Sequence, residues 1–234
     1  RCEWQHMLRT RLAVTIIVML LALIAVAAAS SAQQLVSESQ TREAYQREAE
    51  ATFRSQPARH PHRMVHYGHY VFRTPAPLAV IDPGVDPFTG RSIFLEGHRR
   101  NTAAFAEARE TSVLTRLGVV SPAFALQVVA PLLLILLGFT SVVRERERGT
   151  LLQLIAQGVP ARALVLGKAA AIGSVAALAS LPLLIGVMWL SIRHPTEALP
   201  ALLVFAGHAT YLGFWVLLIT VVSALASKAR SALI

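Results

Sequence analysis

Between Ala198 and Ser227 the chain reads ALPALLVFAGHATYLGFWVLLITVVSALAS, 30 residues without one charged side chain. A helix rises about 1.5 Å per residue, so about 20 apolar residues cross a hydrocarbon core about 30 Å thick. This stretch is long enough. Helix is also the conformation that lipid requires, because the backbone must satisfy its own hydrogen bonds there. Three more runs have the same character: Leu12 to Ser37 with 26 uncharged residues, Leu117 to Val143 with 27, and Ala169 to Ile192 with 24. One such run could be a buried helix of a soluble protein. Four in one chain of 234 residues cannot be accommodated that way.

Composition points the same way. Hydrophobic residues make up 54% and charged residues 15%, against about 25% charged in an ordinary soluble protein. Mean hydropathy is +0.53. The single cysteine, Cys2, excludes an intrachain disulfide framework. The formal charge of +9 raises the question of nucleic acid. The long uncharged gaps dispose of it, and no nucleic-acid partner is expected. The expected fold is an all-α polytopic membrane protein, with four transmembrane helices and a small mixed extracytoplasmic insertion. Arg1 at the front and an apolar stretch still running at Ile234 suggest a piece of a longer protein.

Orientation follows from lysine and arginine in the short segments. Arg1, Arg9 and Arg11 precede the first run. Arg144, Arg146, Arg148, Arg162 and Lys168 lie between the second and third, and Lys228 and Arg230 follow the fourth. Against these ten, the short loop between the third and fourth runs holds Arg193 alone. The expected order is therefore a cytoplasmic segment 1–11, a first span 12–32, an extracytoplasmic module 33–121 and a second span 122–143. A cytoplasmic loop 144–168, a third span 169–192, a short external loop 193–198, a fourth span 199–227 and a cytoplasmic end 228–234 complete it. Arg9 and Arg11, the apolar stretch and Ser30-Ser31-Ala32 also resemble a cleavable signal peptide, though the stretch is long for one. Pro131 and Pro182 lie inside their runs and should kink the helices or be accommodated by neighbours.

The exterior segment divides in two. Gln33 to Gln56 continues the first helix. Glu38–Arg42, Glu43–Arg47 and Glu50–Arg54 are i,i+4 pairs, Tyr45, Ala49 and Phe53 form an apolar stripe, and Pro57 ends it. Beyond it, prolines and glycines exclude long helix. Val71-Phe72 and Ile93-Phe94-Leu95 suggest short strands, Asp82-Pro83-Gly84 a turn, and Asn101 the cap of a helix running to about Leu117. His60, His62, His66 and His69 crowd into ten residues. Imidazoles bind copper, zinc and nickel, so these four are the metal candidates. Their spacings match no closed zinc pattern, and packing beside Tyr67 and Tyr70 is the preferred reading. His208 is an ionisable group inside a span and so a candidate functional residue, but a neutral, hydrogen-bonded packing histidine is the preferred reading.

The cytoplasmic stretch VRERERGTLLQLIAQGVP, residues 143–160, is the most informative. Thr150 and Gln153 fit a capping box. Leu151, Leu154 and Ile155 share a face, Gly158 supplies a left-handed stop and Pro160 blocks continuation. A two-turn amphipathic helix, Leu151 to Gln157, is expected between two spans. Such a helix can lie on lipid headgroups, pack on its own protein or dock into a partner.

Glu147, Gly149 and Thr150, then Leu-Leu-x-Leu, then Pro160 and Arg162, then Leu166, Gly167 and Lys168 resemble the permease subunits of type-2 ABC transporters. His-Pro-His at 60–62, YVFR at 70–73, PLA at 77–79, DPGV at 82–85 and LEGHR at 95–99 resemble the branch with a large extracytoplasmic insertion, commonly labelled multi-copper-enzyme maturation permeases. Gly97 stands where that branch has alanine. The resemblance implies about six spans and a coupling helix that docks on a separate ABC ATPase subunit. It also implies a second permease subunit, homo- or heterodimeric, and export across a bacterial inner membrane. The implied coupling residues are Glu147, Gly149, Thr150, Leu151, Leu154, Ile155, Pro160 and Arg162. ATP and Mg would be bound by the partner ATPase, with no cofactor in this chain. The only Gly-Lys, Gly167-Lys168, lacks a phosphate loop's other residues: Arg162 stands five before Gly167 and Ala169 follows the lysine. No serine-hydrolase elbow or HExxH zinc motif is present. The alternatives are a membrane assembly or maturation factor for an extracytoplasmic metalloprotein, without transport, and a signalling or anchoring protein.

Overall fold

In a computed structural model, residues 11–104 and 120–233 are described. Among the described residues four helices are long and apolar enough to span a membrane: Leu12–Arg54, Pro122–Glu147, Ala161–Arg193 and Pro195–Leu225. The protein is an all-α polytopic membrane protein with one small strand pair. The chain forms two compact units, one of Arg1–Ala27 with Pro122–Ile234, the other of Ala28–Ser121.

The first unit begins with the front of α1 (Leu12–Arg54), which buries Ala13, Ile16, Leu20, Ile24 and Ala27, a stripe at three- and four-residue spacing. The second span starts as α3 (Pro122–Phe124), passes through a π-helical turn at Ala125–Val129 and continues as α4 (Ala130–Gly138). The short helix α2 (Pro61–Met64) belongs to the other unit. Two long helices follow, α7 (Ala161–Arg193) and α8 (Ala198–Leu225), joined by a 3-10 turn at Pro195–Glu197. Their mutual contact is the most extensive between any two elements. On α7 the buried face includes the small residues Ala171, Ala176, Ala179 and Ser180, which let helices approach where lipid supplies no hydrophobic drive.

Gly138 marks a close approach within the bundle. A methyl group there would lie 2.7 Å from both Ile172 Cδ1 and Ile219 Cγ2, so α4 meets α7 and α8 backbone-first. The outer surfaces are apolar. Leu132, Ile185, Met188, Ile192, Leu203 and Leu217 are all exposed, as a lipid-facing surface demands. Hydroxyls in the bundle bond to their own helix: Ser180 donates to the Ala176 carbonyl at 2.9 Å and Thr220 to that of Val216 at 2.7 Å.

The two interior prolines behave differently. Helix α7 runs through Pro182 without interruption. Pro131 follows the π turn, and its missing N–H is the α-helical donor that the Gln127 carbonyl would have used. The Tyr211 hydroxyl of α8 donates to that carbonyl instead, at 2.8 Å.

The second unit is built on the C-terminal half of α1. Tyr45 stacks on Phe72 at 5.9 Å between ring centroids, and Phe53 meets His69 edge-on at 5.2 Å. Those partners lie on β1 (His69–Phe72), which pairs antiparallel with β2 (Ser92–Leu95), Tyr70 opposite Phe94. The expected strands and the apolar stripe thus meet. Gly84, at φ +55, donates its N–H to the Asp82 carboxylate at 2.8 Å and closes the expected turn. Arg73 fixes the far side through Asp86 at 2.7 Å.

Two local expectations are overturned. Glu38 pairs with Arg91 at 2.9 Å rather than with Arg42, because a loop cation lies within reach of α1. Of the three i,i+4 pairs only Glu50–Arg54 forms, at 3.7 Å, while Arg47 turns to the Glu43 carbonyl. Asn101 caps no helix: its amide donates to the Phe94 carbonyl at 3.0 Å, and Ala104 bridges to Ser92. The rest of that expected helix, 105–117, lies outside the described residues.

Candidate functional site

The loop 144–168 forms a helical hairpin. Helix α5 (Val143–Glu147) ends the second span, Gly149 turns the chain, and α6 (Thr150–Ala156) returns against α5. Gly149 holds φ +72, a left-handed conformation that costs a residue with Cβ about 1–2 kcal/mol. This turn replaces the expected capping box. No side chain caps α6. Thr150 instead donates its hydroxyl to the Glu145 carbonyl at 3.2 Å, stitching α6 to α5.

The far end of α6 follows expectation. Gly158 sits at φ +87, its N–H bonds to the Ile155 carbonyl at 2.9 Å and the Val159 N–H to that of Leu154 at 3.1 Å, the Schellman arrangement. Pro160 then stands as N-cap of α7, with Ala161 as its first residue. Arg162 is exposed on the first turn.

Four contacts tie this hairpin to α7, α8 and the helix after α8. Lys168, 4% exposed on α7, places Nζ 2.7 Å from Glu145 Oε1. Arg146 donates to the last carbonyls of α8, at Ala224 and Ala226. Glu147 accepts from the Ala229 N–H at 2.7 Å, at the start of α9 (Ala229–Leu233). Buried Ser223 accepts from the N–H groups of Val142 and Val143 at 3.0 and 3.3 Å, capping α5. Charge placement obeys the helix dipoles: a cation meets the C-terminal carbonyls of α8, and a carboxylate meets the N-terminus of α9.

The exposed face of α6 differs from the expected one. Leu151 and Leu154 are half-buried. Leu152 is 74% and Ile155 46% exposed. The outward apolar pair is therefore Leu152 and Ile155, three residues apart. Glu145, Arg146, Ser223 and Leu152 escaped sequence reading. The charged run Arg144 to Arg148 was a signal: its three central members, Glu145, Arg146 and Glu147, all find partners on α7, α8 or α9.

The histidines separate. His60 receives a bond at Nδ1 from the His62 N–H at 3.3 Å, at the N-terminus of α2 (Pro61–Met64). His69 packs on Phe53. His62 and His66 draw together with His98, ring centroids 4.9 to 6.0 Å apart. Among the described residues no three His, Cys, Asp or Glu side chains are arranged to hold a metal ion. In the bundle, buried His208 contacts the Val204 carbonyl through Nδ1 at 2.8 Å and the Gln127 amide through Nε2 at 3.1 Å. A proton on Nδ1 satisfies both.

The family model described as ABC-2 family transporter protein matches residues 1–234. The chain belongs to the ABC-2 transporter family. No curated protein and no solved structure matches it. As an ABC-2 family membrane protein it presents a membrane-spanning bundle with a helical hairpin fastened to one end.

Proposed function

We propose that this chain is the membrane-spanning permease subunit of an ATP-driven ABC-2 exporter, coupled through α6 to a separate ATPase chain that binds ATP and Mg. A second permease subunit, identical or related, completes the complex in a bacterial inner membrane. The ten-to-one distribution of basic residues supports a cytoplasmic hairpin and an exterior 33–121 module. The motifs between His60 and Arg99 favour the branch with a large exterior insertion.

One observation carries the reading: a short helix presents Leu152 and Ile155 outward while its base is fastened to the spans. A surface anchor needs only the apolar face. A coupling element also needs a stiff connection, because force applied to α6 must reach α7 and α8 before the hairpin deforms. Glu145–Lys168 supplies that connection to α7, and Arg146 supplies it to α8. Burying Leu152 and Ile155 in a groove would contribute about 1.5–3 kcal/mol each. Exposed Arg144 and Arg148 would ring that contact and orient it more than tighten it.

The test is co-expression of the tagged chain with ABC ATPases of the same cell. An ATPase should co-purify with the tagged chain, and its hydrolysis rate should change when the two are reconstituted. An ATPase that neither binds nor responds would overturn the reading.

A further inference from the structure

Within the bundle, the polar side chains of Gln127 and Tyr211 face outward from the span region. Gln127 on the π turn is exposed, and so is Tyr211 of α8. Both lie inside uncharged runs. An amide facing hydrocarbon loses its hydrogen bonds with water at a cost of several kcal/mol. The structure nevertheless holds both in place. Tyr211 bonds to the carbonyl freed by Pro131, and the Gln127 amide is braced by His208, itself anchored to Val204. π turns recur at functional sites, and an ionisable residue inside a span is a functional candidate by default.

After these bonds, capacity remains. The Gln127 amide keeps its carbonyl oxygen and one N–H, and the Tyr211 oxygen keeps its lone pairs. One turn along, Trp215 meets Tyr211 edge-on at 6.3 Å, and its buried indole N–H has no partner among the described residues. Among the described residues, the side chains bonded or stacked at this spot carry no aspartate, glutamate, lysine or arginine, which favours a neutral ligand. Exposed Phe214 and Leu218 continue the same face of α8 as an apolar wall.

We infer that Gln127 and Tyr211, braced by His208, form an intramembrane site for a neutral amphiphile, which gives a hydroxyl or amide to them and lays its apolar part along Phe214 and Leu218. The site rests on the permease reading only in being part of a transport path; its binding is independent of the ATPase.

The test uses the full chain carrying Cys2→Ser in phosphatidylcholine nanodiscs, without ATPase. A cysteine thiolate attacks the sulfenyl sulfur of a cationic methanethiosulfonate, forming a disulfide and releasing methanesulfinate; thiolate forms in wet surroundings and not in hydrocarbon, so Phe214→Cys, one turn from the polar Tyr211, should react about tenfold faster than Leu217→Cys on another face of α8. Monoolein, a neutral amphiphile with two hydroxyls, should slow labelling of Phe214→Cys, while oleate and hexadecane should not. Gln127→Met keeps the volume and removes the amide; it should weaken monoolein protection about fivefold, the scale of one lost neutral hydrogen bond. Equal labelling at 214 and 217, protection by hexadecane, or protection that survives Gln127→Met would each overturn the site. None of these results touches ATPase recruitment, and failure to recruit an ATPase would leave the labelling result standing.

Discussion

Lys168 Nζ lies 2.7 Å from Glu145 Oε1, joining helices 23 residues apart in sequence at a point where the lysine is almost wholly buried. Removing one member leaves the other charged and poorly solvated, which typically costs about 3–5 kcal/mol. Lys168→Met or Glu145→Gln should each lower the thermal midpoint of the detergent-solubilised protein. The double variant should recover much of the loss, because neither charge is then stranded. A double-mutant cycle by thermal unfolding measures this, and additive losses would contradict it.

The exposure of α6 separates two leucines that sequence alone treats alike. Leu152→Asp should leave expression and thermal stability unchanged, since the side chain is 74% exposed, yet abolish co-purification of the ATPase. Leu154→Asp puts a charge on the half-buried face and should lower stability as well. Pull-down and unfolding of both variants, side by side, decide the matter. Retention of the ATPase by Leu152→Asp would make α6 a lipid-surface anchor.

Gly149 turns the hairpin at φ +72 with nothing within 4 Å of where a Cβ would stand. The penalty for Gly149→Ala is therefore backbone strain alone, about 1–2 kcal/mol. Gly149→Asn should be milder, because asparagine tolerates this region. Unfolding midpoints in the order glycine, asparagine, alanine are expected, with ATPase stimulation falling in the same order.

Topology is checked with two cysteines on a Cys2→Ser background. Ser39→Cys should react with an impermeant thiol reagent in intact cells. Gln157→Cys should react only after permeabilisation. The reverse pattern would invert the whole arrangement and remove α6 from the reach of any cytoplasmic partner.

The spans were legible because lipid acts on each residue locally: thirty uncharged positions in a row mean the same thing in any tertiary setting. The end of α6 was legible for the same reason, since Gly158 and Pro160 act within one turn. What sequence could not supply were partners distant along the chain. Nothing near Arg146 announces that the end of α8 returns to it, and Glu38 had a plausible helical partner until a loop brought Arg91 closer. The outward face of α6 was ambiguous because Leu151, Leu152, Leu154 and Ile155 are all apolar; only packing against α5 chose between them. Thr150 had the right chemistry for a cap, but Gly149 made the turn first.

Gly138 leaves no methyl-sized gap between α4, α7 and α8. A contact that close has no slack: sliding one helix past another would drive Ile172 or Ile219 into the α4 backbone. The three helices should therefore swing as a single lever, with α6 as its handle. Any opening and closing must then occur along the perimeter of that lever, where it borders α1, lipid or a neighbouring subunit, and a bulkier residue at 138 would loosen the lever itself rather than block a passage.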